Sequence, residues 1–420
     1  MSAPDPQKIL QQQQEAMVER QIDELTARLR QGPHAFWDTQ PVPHRESELA
    51  PSIANMRPLE NSQTKTIRRE PLPLPPGFEW FTVDVDNQSE MQKLFDLLSE
   101  HYVEDNEGMF RFRYSIPFLR WALKPPGYLR AWHLGVRVIS TGKYVGFISG
   151  VPSTVRTDAQ EHRMAEINFL CVHKALRSKR LAPVLISEIT RRINLEGIFQ
   201  AVYTAGVEIP TPICQARYFH RSLKPKKLIS VNFTHLQPRM TMSRTEKLYA
   251  LPATPAIPGV RPLRPADVAA VRPMLNTYLR QFQVAMVFTS DEEFAHWFLP
   301  RPDVVQSFVV EDPADHHITD FFSYYVLSSS CLHSAQYPTL TAAYGYYYFN
   351  NGHSLTELMR AALVMANNGN CDVFNALDLM HNREYFEELR FGQGDGNLNY
   401  YLYNWAMPRI DAPALGVVLL

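Results

Sequence analysis

The sequence predicts an α/β fold in which two halves share one supersecondary plan and a continuous mixed sheet. Three observations carry this. In EINFLCVHKALRSKRLAPVLISEITRRINLE (166–196), a short apolar run (Ile167, Phe169, Leu170, Cys171, Val172) precedes a basic loop. That run is too short for a helix and reads as a buried strand, whereas Val184, Leu185, Ile189 and Ile193 recur on one helical face until Gly197. A helix–strand–helix pattern returns at 354–390, and the Pro-rich stretch 241–265 separates the two as a connector.

The chain has 420 residues, 45% of them hydrophobic, enough for about two to three domains or one large two-part unit with a sizeable core. A formal net charge of −1 gives no general attraction to nucleic acid, so any affinity for polyanions has to be local. Cys171, Cys214, Cys331 and Cys371 show no C-x-x-C spacing, which fits reduced thiols in a cytosolic protein. No apolar run reaches membrane-spanning length, and MSAPDPQKIL is not a signal peptide. The expectation is a soluble, cytoplasmic protein.

Residues 1–30, rich in Gln, Glu and Arg with Ile22, Leu25 and Leu29 at helical spacing, read as a flexible segment or marginal helix. Residues 31–77 are too dense in Pro for a regular core element and read as a strap, in which Phe36 and Trp37 need burial. The first folded half spans 78–240. Met91, Leu94, Phe95, Leu98 and Tyr102 form an amphipathic helix after the capping residues Asn87 and Ser89. An acidic turn then leads to a strand with Phe110, Phe112 and Tyr114. Residues 115–123 make a short helix stopped by KPPG, and 132–139 and 143–152 form a hairpin across S-T-G-K. After the central helix come a strand at 197–206 and a predicted helix at 210–223.

The second half spans 266–420. It opens with helices at 266–282 and 291–299, followed by strands VVQSFVVED and ITDFFSYYVLSS around the turn DPADHH, and an aromatic strand at 341–349. Next come a helix at 354–368, a strand at 371–380 and a helix at 383–390. Gly392, Gly394 and Gly396 precede a strand rather than a helix, so they suit a tight turn that lets another backbone approach, not a phosphate cradle.

The chemistry follows from what is present and what is missing. A strand, a basic turn (Lys174, Arg177, Lys179, Arg180) and a helix N-terminus bring free N–H groups and cations together, as phosphates require. Arg177-x-x-Arg180-x-Ala182 loosely follows the R-x-x-G-x-A loop with which acetyltransferases bind acyl-CoA. The sequence has no G-x-S-x-G elbow, no HEXXH and no paired-Cys metal site. His316 and His317 lie in a polar turn, and Cys171 inside an apolar strand suits packing better than nucleophilic attack. Direct aminolysis of a thioester fits this set, since it needs only alignment, an oxyanion site and a base. The tail P-A-L-G-V-V-L-L is almost wholly apolar, so it should thread into the core and carry the α-carboxylate of Leu420 inside.

The block EINFLCVHKALRSKRLAP, together with F-W-D-T-Q-P-V-P, F-G-Q-G-D-G and the apolar terminus, resembles the eukaryotic N-myristoyltransferases along nearly the whole chain. Arg390 replaces the Lys of the family's K-F-G-x-G-D-G pattern and preserves its charge. The resemblance implies two acetyltransferase-like (GNAT) halves related by pseudo-two-fold symmetry around the sheet. It also implies a transferase that moves myristate from myristoyl-CoA to the N-terminal glycine of proteins, with no cofactor or metal. His34, Ala35, Phe36 and Trp37 would meet the acyl-CoA, together with Phe169, Leu170, Cys171 and Val172. Arg177, Ser178, Lys179, Arg180, Leu181 and Ala182 would hold its phosphates. The N–H groups of Phe169 and Leu170 become the oxyanion hole, left unpaired by a bulge, and the Leu420 carboxylate becomes the base. Peptide contacts fall on Tyr102, Asp105, Phe110, Phe112, Thr204, Tyr218, His220, Ser329, Tyr344, Asn375, Asp395 and Gly396. Asp105, Glu107 and Gly108 stand where relatives carry a denser acidic run, which implies a weaker preference for basic peptides. The implied partners are N-terminal-glycine proteins and ribosomes, with the enzyme a monomer. Two alternatives stay open: an acetyltransferase-like enzyme, and a non-catalytic acyl-CoA- or peptide-binding module.

Overall fold

Fifteen strands join into one mixed sheet in the computed structural model, which describes residues 36–60, 66–105 and 107–420. His34, Ala35 and the segment 1–30 lie outside the described residues. The first half runs β1 (Phe78–Thr82), α1 (Gln88–His101), β2 (Phe110–Arg113), α2 (Ile116–Leu123), β3 (His133–Val138), β4 (Tyr144–Thr157), β5 (Gln160–Val172), α3 (Leu181–Leu195), β6 (Ala201–Ala205) and β7 (Cys214–Ser222). Two short helices follow, α4 (Pro225–Ser230) and α5 (Met242–Tyr249). The same order then recurs: β8 (Val260–Pro262), α6 (Val268–Leu279), β9 (Val284–Met286), α7 (Asp291–Phe298), β10 (Val305–Glu311), β11 (Ile318–Cys331), β12 (Thr339–Asn350), α8 (Leu355–Asn368) and β13 (Val373–Leu377). A single helical turn, α9 (Arg383–Phe386), precedes β14 (Gly392–Tyr403), and β15 (Leu415–Gly416) lies just before the chain end.

Pairing makes the repeat explicit. The ladders β3–β4 and β4–β5 are antiparallel and β5–β6 is parallel, just as β10–β11 and β11–β12 are antiparallel and β12–β13 is parallel. The halves then exchange strands: β7 pairs with β13, β14 pairs with β6, β2 pairs with β11 and β9 pairs with β4. β7 and β14 also pair with each other and close the sheet across the pseudo-symmetry axis.

Local sequence explains the element ends. The Asn87 side chain accepts from Ser89 N and Glu90 N at the start of α1, and Ser115 caps α2 through Phe118 N. Ser354 and Glu357 form a reciprocal capping box on α8. The apolar stripe of α3 (Leu181, Leu185, Ile189, Ile193) packs on Val145, Ile148 and Ala165, and each such side chain contributes about 1.5–3 kcal/mol. On β5, Met164, Phe169 and Cys171 join one core cluster, whereas Ala165, Leu170 and Val172 join or pack against the other. The two cores therefore cover opposite faces of the sheet.

Two expected elements differ. Residues 210–223 hold no helix; Cys214–Ser222 is strand β7, because β13 and β14 satisfy its backbone on both edges. The expected helix at 383–390 keeps α-helical form only over Arg383–Phe386. The three glycines form no turn before a strand. They lie within β14, where a bulge between Gln393 and Asn397 interrupts pairing with β7.

Candidate active site

The bulge in β5 sets the site. Cys171 faces Phe147 and Asn168 faces Ser149, so Phe169 and Leu170 together oppose Ile148 alone. Phe169 takes φ +55°, a left-handed conformation that costs a non-glycine residue about 1–3 kcal/mol. Packing supports it: the ring is buried, 5.2 Å from Tyr114 edge-on and 6.1 Å from Tyr102. This conformation turns the Phe169 N–H out of the ladder and onto Asn168 Oδ1 at 2.7 Å. The donor is thus free of the sheet, as expected, but it is not unpaired; its own neighbour's amide covers it.

Asn168 also reaches the chain end. Its Nδ2 donates to a terminal oxygen of Leu420 at 2.7 Å, while Tyr102 Oη lies 3.4 Å from Oδ1. The tail is led there step by step. Leu415 and Gly416 pair in parallel with Val284 and Ala285, and a Cβ at Gly416 would stand 2.8 Å from Phe282. The Tyr347 hydroxyl accepts from Val418 N at 2.8 Å and donates to Val418 O at 3.2 Å. Val417, Val418 and Leu419 are buried and Leu420 is half-buried, so the apolar tail does thread inward.

A cavity of about 580 Å³ opens at this point. Ile148, Ile167, Ile186, Ile189, Thr190 and Ile193 line it from the α3 side, and Tyr102, Phe112, Tyr114, Tyr218, Tyr325 and Tyr344 from the other core. The cavity thus draws its walls from both faces of the sheet. Asn168, Phe169, Leu170, Leu419 and Leu420 also line it. Its size and mostly apolar walls suit a long-chain ligand.

Of the residues expected to bind, Trp37, Tyr102, Phe112, Phe169, Leu170, Thr204, Tyr218, Tyr344 and Leu420 meet in this cavity. Trp37 stacks on Tyr203 at 6.2 Å and 8°, and Phe36 packs edge-on against Trp37. The strap sits on the end of β14 through Asn404 N to Pro41 O and Tyr403 Oη to Gln40. Val172 and Leu181 are buried in the core, outside the lining. Burial pushes the Cys171 thiol up to about 12, and no thiolate forms there near neutral pH.

The basic turn holds a 3₁₀ helix, Lys174–Lys179, with Arg180 in left-handed conformation before α3, on which Ala182 is half-buried. Arg177 donates to Val172 O and His101 O, and Lys174 pairs with Glu104 at 2.5 Å. Ser178 is exposed. None of residues 177–182 reaches the cavity wall.

The other expected peptide contacts lie outside the lining. Asp105 Oδ1 accepts from Phe110 N at 2.7 Å and closes the turn, and Phe110 packs edge-on against Phe233. Ser329 is buried in β11 opposite Phe112 and Leu340. His220 stacks at 8° on Tyr218 and bonds Asn375 Oδ1 at 2.7 Å; burial lowers its proton affinity, opposed by that bond and the Asp395 charge. Gly394 lets this imidazole approach, since a Cβ there would stand 2.3 Å from Nε2. The nearest neighbour is this side chain, and the Tyr218 backbone oxygen also approaches, 3.1 Å from such a Cβ; Asp395 and Gly396 follow in the β14 bulge.

Sequence reasoning missed Asn168, although its signal was present. It is the one polar residue within the apolar run 167–172, and an amide set into such a strand must find partners. Tyr114 was seen as a strand residue but not as a cavity wall.

Known proteins place this arrangement. Residues 58–216 match the family described as "Myristoyl-CoA:protein N-myristoyltransferase, N-terminal domain", and residues 230–415 match its C-terminal domain. Glycylpeptide N-tetradecanoyltransferase 2 of Bos taurus is 50% identical over 400 residues, covering 95% of this chain and 78% of that protein. Glycylpeptide N-tetradecanoyltransferase 1 of Arabidopsis thaliana is 51% identical over 389 residues, covering 92% and 89%. The crystal structure of Saccharomyces cerevisiae N-myristoyltransferase with bound myristoyl-CoA superposes with a TM-score of 0.87 at 39% identity, covering 93% of this chain and all of that one. The doubled acetyltransferase-like sheet, the bulged strand and the two family matches agree, and the chain belongs to the myristoyl-CoA:protein N-myristoyltransferase family.

Proposed function

We propose that this chain transfers a myristoyl group from myristoyl-CoA to the N-terminal glycine amine of proteins, by direct attack on the thioester. One observation carries the reading: a terminal carboxylate, held by Asn168, lies at a bulged strand in the wall of a cavity that spans both cores. The first half supplies the thioester side, the second half supplies the base, and both contribute to the acceptor groove. Aliphatic walls from α3 hold the C14 chain, whose burial at ~0.8 kcal/mol per CH₂ favours it over acetyl by several kcal/mol. The turn 177–182 and the α3 N-terminus face the phosphates of CoA.

An α-ammonium of pKa about 7.7–8.0 has to lose a proton before it attacks, and the Leu420 carboxylate receives it. The amine nitrogen then bonds the thioester carbon. The Phe169 and Leu170 N–H groups stabilise the oxyanion, the Phe169 donor exchanging Asn168 Oδ1 for the substrate oxygen. Collapse breaks the C–S bond, the nitrogen sheds its second proton, and CoA leaves as a thiolate that is protonated to the thiol. Glycine is required because a Cβ collides where the amine reaches the carbon. Tyr102 and Thr204 line this point, with Tyr218 and Tyr344 further along.

We read the chain as acting alone, because its described residues include both the cavity and the terminal carboxylate that the reaction uses. Acceptors with a new N-terminal glycine place it in the cytoplasm, near ribosomes. Among the described residues no helix is long and apolar enough to cross a membrane. The test is a CoA-release assay with a Gly-initiated peptide and either myristoyl-CoA or acetyl-CoA. Turnover with the C14 donor and an Ala-initiated peptide left unmodified are expected. Equal use of both donors contradicts the reading.

A further inference from the structure

The segment 224–248, which holds α4 and most of α5, carries six cations (Lys224, Lys226, Lys227, Arg239, Arg244, Lys247) and one acid, Glu246. The whole chain is balanced, with 42 Lys and Arg against 43 Asp and Glu, so this is a local excess that the net charge conceals. Lys227 pairs with Asp372 at 2.6 Å, whereas Lys226, Arg239, Arg244 and Lys247 are exposed and form no ion pair among the described residues. The inner side of the segment is fixed: Leu228 and Thr245 are buried, and the Tyr249 ring lies 4.7 Å from the Arg221 guanidinium. Thr241 caps α5 by accepting from Arg244 N. Arg244, Lys247 and Leu248 recur at i, i+3 and i+4 on α5, so they share its outward stripe, away from Thr245 and Tyr249. Leu248 is 40% exposed, and Leu236, in the loop between the two helices, is 41% exposed. α4 and α5 pack against each other, so Lys226 adds to the same region. Single exposed leucines are ordinary, but two set among unpaired cations form an amphipathic face. Phe233, just after α4, packs edge-on against Phe110 at 5.7 Å and His220 at 5.3 Å, which joins the segment to the side of the molecule expected to hold the acceptor.

We propose that this face docks the protein on an anionic phospholipid surface. Lys226, Arg239, Arg244 and Lys247 meet headgroup phosphates, and Leu236 and Leu248 enter the interface. The cations alone would suit any polyanion. The leucines decide for lipid, because a nucleic-acid backbone offers them no apolar layer to enter. Docking needs neither substrate and so stands apart from the acyl-transfer reading. Joined to that reading, it sets the acceptor side of the enzyme against the layer that a product carrying a C14 chain enters.

The test sediments the full chain, without substrates, with vesicles of phosphatidylcholine alone or with about 30% phosphatidylserine added. Binding to the phosphatidylserine vesicles should be at least about tenfold tighter, and the difference should shrink at about 0.5 M salt. The triple variant Lys226→Glu, Arg244→Glu, Lys247→Glu should bind about 100-fold more weakly, and the pair Leu236→Ser, Leu248→Ser about tenfold more weakly. Both should keep wild-type thermal midpoints and wild-type turnover of a soluble Gly-initiated peptide. If a multiple variant fails to fold, Lys247→Gln alone should still weaken vesicle binding by about fivefold. Equal binding to the two kinds of vesicle, or a folded triple variant that binds like wild type, overturns the proposal. A leucine variant that binds like wild type overturns it as well, and tighter binding of polyuridylate than of vesicles then assigns the face to nucleic acid.

Discussion

The Asn168 amide donates to the terminal oxygen of Leu420 across 2.7 Å, joining residues 252 positions apart in the chain. The same side chain accepts from the Phe169 N–H, so one amide fixes both the proposed base and a candidate oxyanion donor. Asn168→Ala should lower kcat by about 10²-fold while leaving the KM for myristoyl-CoA within a few-fold. Asn168→Asp should be worse, because it replaces the donor with a carboxylate facing a carboxylate. Steady-state kinetics on both variants checks this, and an Ala variant with wild-type kcat removes Asn168 from the site.

The proposed phosphate site at the basic turn predicts a salt effect. Replacing Lys179 and Arg180 by Ala should weaken CoA-ester binding by about tenfold at low ionic strength and by less at high, because screening already suppresses their contribution. Titrating a non-hydrolysable acyl-CoA at two salt concentrations measures it. An unchanged salt dependence would move the phosphates elsewhere.

Much of this arrangement was legible beforehand, for definite reasons. The strand–turn–helix at 166–196 could be read because its period changes at Leu181, and the threaded tail because Val417, Val418, Leu419 and Leu420 offer nothing to solvent. The residues of β7 were misread as helix because its partners, β13 and β14, lie about 150 or more positions away, and local pattern carries no trace of them. The bulge was expected, but not its φ of +55° at Phe169. Nor could residue types alone separate Ser329 and Asn375, which stay outside the cavity, from Tyr344, which lines it. All three sit on neighbouring strands, and only the register decides.

Cys171 should prove dispensable for chemistry. Its thiol is buried and held up to about 12, so Cys171→Ala should retain kcat and cost on the order of 1 kcal/mol of stability from the small void. Mass spectrometry of the enzyme during turnover should find no acyl adduct at this position. A loss of activity at unchanged stability would point to an acyl-enzyme instead.

His101 gives the fold an acid-sensitive element. Burial first, and then the neighbouring His173, Lys143, Lys174 and Arg177, lower its pKa from 6.5 to about 4. The unfolded chain therefore takes up a proton before the folded one does, so stability is full above about pH 6.5 and declines as pH falls toward 4. Urea midpoints across that window should drop less steeply in His101→Asn. Identical slopes would show that the His101–His173 pair, with rings 3.9 Å apart, is not the cause.

The base assignment is tested most directly at the chain end itself. Single-turnover acylation of a Gly-initiated peptide should be followed with preloaded myristoyl-CoA, using wild type, Leu420→Gln and a C-terminally amidated chain. Leu420→Gln keeps a terminal carboxylate and should react within about threefold of wild type, whereas amidation should slow the step by about 10²–10⁴-fold with acyl-CoA affinity unchanged. An amidated chain that acylates its peptide at the wild-type rate would contradict the carboxylate mechanism.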